Sequence, residues 1–134
     1  MKTSTILTAL VAIGALLFYL YMKGYIFANF ESVDVKEAKK LIDSDRSIAI
    51  LDVRTPEEYR LDGHLANAML IPVQQLGEQL DKLERVRDKK LIVYCRSGSR
   101  SAMASRILAN HGFHPINVRG GINAWKKEGF SLEK

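Results

Sequence analysis

The residues whose types and spacing could do chemistry lie in Leu91-Ile92-Val93-Tyr94-Cys95-Arg96-Ser97-Gly98-Ser99-Arg100-Ser101, where four β-type apolar residues run straight into the only cysteine of the chain. The pattern predicts a nucleophile loop. A buried strand carries the thiol to the carboxyl edge of a sheet, and Ser97, Gly98 and Ser99 are small enough for the backbone to curl around it. A helix beginning near Ser99 would aim its amide dipoles at the sulfur, and a helix N-terminus with nearby arginines favours the thiolate. The same amides, with the guanidinium groups of Arg96 and Arg100, would attract an anionic substrate. A lone cysteine after a hydrophobic strand also serves as a small buried apolar residue. Packing alone, however, has no use for the two arginines, one glycine and three serines of Arg96 to Ser101.

Such a loop needs a sheet and helices to hold it, and the 134 residues have room for one ordinary domain plus an appendage. Hydrophobic residues make up 47% and charged ones 26%, which suits a globular core and excludes a disordered chain. The formal net charge is +5, and without Lys2 and Lys23 the excess of base over acid falls from five to three. That fits small anions or a phospholipid surface. Nucleic acid would call for a clustered basic face interleaved with aromatics, and none is found. One cysteine excludes an internal disulfide, a cysteine-rich metal site and a resolving partner for Cys95.

From Thr3 to Met22 no residue is charged. Twenty helical residues rising about 1.5 Å each span roughly the hydrocarbon core of a bilayer. Tyr19, Tyr21 and Tyr25 gather beside Lys23 as interface anchors do. A cleaved secretory signal also begins this way, but the apolar run exceeds the usual length and no small-x-small site follows it, so an uncleaved anchor is expected. Lys23, Lys36, Lys39 and Lys40 follow the span while only Lys2 and the terminal amine precede it, which puts the domain in the cytoplasm, as does a reactive thiol without a partner.

Residues 1–29 therefore read as an anchor with a short linker, and 30–134 as the domain. Asp34 and Glu37 suggest a capping box before a helix with Val35, Ala38, Leu41 and Ile42 inward. Ile48 to Val53 is a continuous apolar run, as in a strand buried on both faces. Thr55-Pro56-Glu57-Glu58 combines a cap, an N1 proline and a capping-box glutamate, and Gly63 closes the short helix that follows. Ala68 to Val73 reads as a strand, Gln74 to Leu83 as a helix weakened by Gly77, and Arg85 to Lys90 as a charged turn. Ser99 to His111 continues as a helix ended by Gly112, Ile116 to Val118 is a last strand, and Gly120-Gly121 turns sharply into a helix holding Trp125. Strands alternating with helices predict an α/β domain with a mainly parallel central sheet flanked by helices.

Four signatures in order resemble the rhodanese-like family of sulfurtransferases. They are Asp52-Val53-Arg54-Thr55-Pro56-Glu57-Glu58-Tyr59, Gly63-His64-Leu65-Ala66-Asn67-Ala68 with Ile71-Pro72, the Cys95 loop, and Arg119-Gly120-Gly121-Ile122-Asn123-Ala124-Trp125. The resemblance spans about Phe30 to Phe130 and implies a three-layer rhodanese-like domain behind one N-terminal transmembrane helix. It implies Cys95 as the residue that takes a sulfane sulfur from a donor such as thiosulfate, becomes a persulfide, and passes the sulfur to cyanide or a thiol. Arg96, Ser97, Gly98, Ser99 and Arg100 would bind the substrate, with Arg96 the more solvent-facing arginine. Asp52, Arg54 and Ser101 would support the loop. Four residues separate Cys95 from Arg100, as in the sulfurtransferases. Related phosphatases and arsenate reductases carry five, which makes those activities the less favoured expectation.

A different class of expectation is a membrane-tethered sulfur relay or docking module with little turnover of free thiosulfate, served by a protein donor or acceptor. His64 could look like a general base, but it follows a helix-ending glycine and is expected to be structural. A metal held by His111 and His114 is not expected, because no carboxylate accompanies them. No cofactor is implied. The expected location is a single-pass membrane protein, in a bacterial inner membrane, with its domain on the cytoplasmic side and residues 3–22 in the bilayer.

Overall fold

In the run from Ile48 to Val53, alternate residues are claimed by opposite faces of one sheet. Leu51 and Val53 enter one core cluster with Leu91 and Val93, while Ile50 enters another with Ile92 and Tyr94. Two-sided burial of this kind is what a continuous apolar strand is for. The computed structural model, described for residues 2–134, builds five parallel strands from such segments: β1 (Glu31–Val33), β2 (Ala49–Asp52), β3 (Met69–Leu70), β4 (Lys90–Tyr94) and β5 (His114–Val118), in the order β1-β5-β4-β2-β3.

Helices cover both faces. One face carries α4 (Val73–Leu76), a 3-10 helix over Leu80–Val86, and α5 (Ser99–Asn110), which contribute Leu76, Leu83, Val86, Ala104 and Leu108. The other carries α2 (Val35–Ser44) and α6 (Gly121–Lys127), with Val35, Ala38, Ile122 and Trp125. Each large apolar side chain taken out of water in this way stabilises the fold by roughly 1.5–3 kcal/mol before entropy is counted. The result is the α/β, three-layer, mainly parallel arrangement expected from the sequence. The short α3 (Pro56–Leu61) carries the full capping box, in which Thr55 accepts from the Glu58 amide and Glu58 from the Thr55 amide.

Two expectations need correction. The segment Gln74 to Leu83 is not one helix. α4 ends at Leu76, and the chain turns through i→i−3 bonds from Glu78 to Gln75 and from Gln79 to Leu76 before the 3-10 helix. Gly77 gives the interior of a helix too little support to carry it through, yet Leu76 and Leu83 both end fully buried. The strand Ala68 to Val73 shrinks to Met69–Leu70, because β3 is an edge strand paired only to β2 and Val73 already opens α4.

Outside the layers lies α1 (Thr3–Met22), none of whose residues is buried. It is long and apolar enough to cross a membrane, a property that a signal sequence shares. Its last turn and the chain beyond it touch the domain. The Arg106 guanidinium lies 3.8 Å from the Tyr21 ring centre and donates to the Tyr21 carbonyl. Asn29 donates to Asn110 at 2.8 Å, and Lys23 reaches Ser97.

Candidate functional site

Because all five strands are parallel, the loops that leave β2, β4 and β5 share one carboxyl edge, the place where open α/β sheets put their sites. The register aligns Asp52 of β2 with Tyr94 of β4, so the residues after each, Val53 and Cys95, begin neighbouring loops. Cys95 is buried, with 1% of its surface exposed. Gly98 takes a φ of 110°, in the region that favours glycine, and this turn brings its amide back to donate to the Cys95 Sγ at 3.1 Å. The thiol donates to the Ser101 hydroxyl at 3.4 Å, and that hydroxyl donates to the Gly98 carbonyl at 3.1 Å. Cys95, Gly98 and Ser101 thus close a small ring of hydrogen bonds around the sulfur, with α5 starting at Ser99 as expected.

The loop is held from behind by α6. The Ile122 amide donates to the Cys95 carbonyl at 2.9 Å and the Asn123 amide to the Arg96 carbonyl at 3.1 Å, so the first turn of one helix satisfies the carbonyls of another segment. Gly121, with a φ of 54°, makes that approach possible, since a Cβ there would stand 2.6 Å from the Arg96 carbonyl oxygen.

The two arginines of the loop are placed differently. Arg96 is turned outward, its side chain 59% exposed and 3.8 Å from the Asp62 carboxylate. Arg100 forms a two-point ion pair with Glu58, through bonds of 2.7 and 2.9 Å. The Arg100 guanidinium, aided by the amide of Thr55, draws the Glu58 carboxyl down to about 2. Ser97 lies on the outer side of the loop, where its carbonyl accepts from the Lys23 ammonium at 3.0 Å. Ser99 opens α5.

Asp52 and Arg54 form a fully buried pair. Arg54 donates through Nη2 to Asp52 at 2.7 Å and to the Gly63 carbonyl at 2.7 Å, while Nε adds a further bond to Asp52 at 3.0 Å. They tie the β2 edge to the turn at Gly63 and make no hydrogen bond to Cys95. Tyr94, whose phenol is pushed up by burial, stays protonated and accepts from the Leu65 amide at 3.1 Å. His64 stacks on Tyr59, with ring centres 3.8 Å apart, and its Nδ1 faces the Leu65 carbonyl. Sequence reasoning missed Glu58 and Asp62 as partners of the loop arginines. It read Glu58 as a capping residue, which it also is, and a separation of 42 positions between Glu58 and Arg100 leaves no spacing signal.

The family of the rhodanese-like domain matches residues 34–128. The chain is 32% identical over 100 residues to the putative sulfurtransferase YtwF of Bacillus subtilis, covering 75% of this chain and 94% of that protein. It is 36% identical over 104 residues to the probable adenylyltransferase/sulfurtransferase MoeZ of Mycobacterium tuberculosis, covering 75% of this chain but only 26% of that one, so it spans about a quarter of MoeZ. Among solved structures, a rhodanese-related protein from Thermoplasma volcanium superposes with a TM-score of 0.69 at 36% identity, covering 77% of this chain and 97% of the other. Sulfur transfer in general is the chemistry that these similarities support. With a matched profile over most of its length and a sulfur-handling relative covered almost end to end, the chain belongs to the rhodanese-like domain family.

Proposed function

We propose that this protein is a membrane-anchored sulfurtransferase that moves a sulfane sulfur from an anionic donor such as thiosulfate to a thiophilic acceptor, cyanide or a thiol, through a persulfide on Cys95. The observation that carries the reading is the Gly98 amide donating to the Cys95 sulfur at 3.1 Å within a loop closed by Ser101. An N–H aimed at sulfur is a hydrogen-bond donor placed to meet the attacking and the persulfide sulfur. Once the thiol has lost its proton, the Ser101 hydroxyl can swing from the Gly98 carbonyl to donate to the sulfur as well.

The Cys95 thiolate attacks the outer sulfur of thiosulfate, a sulfur–sulfur bond forms, and the bond to the sulfonate sulfur breaks with its electron pair leaving on sulfite. The product is a Cys95 persulfide anion, whose outer sulfur is then taken by cyanide as thiocyanate, regenerating the thiolate. Arg96, turned outward, meets the donor. Ser97, Gly98 and Ser99 form the cradle, and Arg100, braced by Glu58, fixes the far side of the loop. Asp52 and Arg54 act as the buried brace of the sheet edge. Residues 1–29 serve as anchor and linker and 30–134 as the sulfur-handling domain, with α1 spanning the bilayer once and the domain in the cytoplasm.

The test is intact-protein mass spectrometry of the detergent-solubilised chain after incubation with thiosulfate, beside Cys95→Ser. The expected result is an added mass of one sulfur atom, removed by cyanide and absent from the variant. Absence of the adduct in the unaltered chain would overturn turnover of free thiosulfate in favour of a relay fed by a protein donor.

A further inference from the structure

Where the anchor meets the domain, a cleft of about 130 Å³ opens directly over the cysteine loop. One wall is the end of the apolar helix and the turn after it, Tyr19, Lys23 and Tyr25. The other is Ser97 and Gly98 with Arg119. Gly98 belongs to both places, since it lines the cleft and its amide holds the Cys95 sulfur. Two cations and two phenols thus surround a small space against the outer side of the loop that carries the candidate nucleophile, and none of the described residues lining it is acidic.

Lys23 is tied to the loop and Arg119 lies over a tyrosine ring. Lys23 donates to the Ser97 carbonyl at 3.0 Å and lies 3.4 Å from its hydroxyl. The Arg119 guanidinium stands 5.3 Å from the Tyr25 ring centre, and the Arg119 amide is bonded to the Val33 carbonyl at 2.8 Å. An ammonium has three donors, so Lys23 can hold the loop and still offer a hydrogen to a bound oxygen. The turn that delivers it is itself packed, because Gly24, at a φ of 81°, lies against Phe30 and Ala102 with no room for a Cβ.

We infer that this cleft is an anion subsite for a sulfonate- or sulfate-like group, and that Lys23 of the juxtamembrane turn is its positioning residue. The inference rests on the sulfur-transfer reading for its biological use: the cleft would gather the anionic donor against the outer side of the loop before it reaches Cys95. The lysine beside the membrane segment is then part of an anion subsite as well as an interfacial anchor, and that subsite is complete only when the anchor is docked.

The experiment uses the full chain in zwitterionic detergent micelles, titrated with sodium sulfate, which does not react, while the amide resonances of Gly98 and Gly120 are followed. A saturable shift is expected, with affinity weakened about fivefold in Lys23→Gln and held within about twofold of the starting value in Lys23→Arg, the scale of one exposed ion pair. The KM for thiosulfate should rise by a similar factor in Lys23→Gln with kcat unchanged. The inference is overturned if sulfate gives no saturable shift at Gly98, or if Lys23→Gln binds it as tightly as the unaltered chain. A Lys23-dependent sulfate shift in a protein that forms no persulfide would support the subsite and remove the sulfur-transfer reading alone.

Discussion

Arg100 and Glu58 meet through two parallel hydrogen bonds, of 2.7 and 2.9 Å, between the helix that follows the cysteine loop and the helix that follows β2. The Glu58 carboxyl is drawn to about 2 from an ordinary 4.5. A carboxyl lowered by folding contributes stability that is complete above its unfolded value and is lost as pH falls toward its folded one. Thermal melting of the full chain and of Glu58→Gln, followed from pH 7 downward, should therefore show a gap in Tm that is constant above pH 4.5 and closes between pH 4.5 and 2. A gap independent of pH would show that the pair does not titrate with folding.

The Asp52–Arg54 pair makes a second prediction, because both side chains have no measurable exposure. Breaking a buried ion pair leaves an uncompensated charge, at about 3–5 kcal/mol, whereas replacing both partners by apolar groups of similar size is often close to neutral. Asp52→Leu alone should lower stability by that amount, and Asp52→Leu with Arg54→Met should recover most of it. Denaturant unfolding of the two variants checks this, and a double variant no better than the single one would show that the bond from Arg54 to the Gly63 carbonyl is what matters.

The sheet and its helices were legible because their signals are local. Leu51, Val53, Leu91 and Val93 announce two-sided burial by composition, and Thr55 with Glu58 announces a helix start by spacing. The cysteine loop was legible for the same reason, since Cys95, Gly98 and Ser101 lie within seven residues. What the sequence hid were contacts that only the fold creates: Glu58 on Arg100, the α6 amides on the Cys95 and Arg96 carbonyls, and Lys23 on Ser97. The helix drawn through Gly77 failed because the burial of Leu76 and Leu83 is compatible with either an α or a 3-10 path.

Arg96 carries the third prediction. Its side chain is 59% exposed and its ionic neighbour Asp62 is 3.8 Å away, so its removal costs the fold little. Arg96→Ala should raise the KM for thiosulfate about fivefold while kcat and Tm stay close to those of the unaltered chain. An unchanged KM would remove Arg96 from donor capture.

Gly121 offers the sharpest test of how the loop is held. Its φ of 54° and the nearness of the Cys95 and Arg96 carbonyls leave no space for a methyl group, and the obstacle is backbone, which cannot step aside as a side chain would. Gly121→Ala should combine left-handed strain with overpacking, together about 2–4 kcal/mol, and lower Tm by roughly 10 °C. It should also push α6 away from the loop, so that the amides of Ile122 and Asn123 lose the carbonyls of Cys95 and Arg96. The consequence to measure is the rate of Cys95 alkylation by iodoacetamide at neutral pH, which should change in Gly121→Ala well below its melting temperature. Gly129→Ala serves as the comparison: Gly129 is also at positive φ, but has open space around it and lies beyond α6. If both variants melt lower but only Gly121→Ala alters the reactivity of Cys95, the support that α6 gives the loop is a determinant of the sulfur's chemistry. If the two behave alike, α6 contributes stability and nothing more.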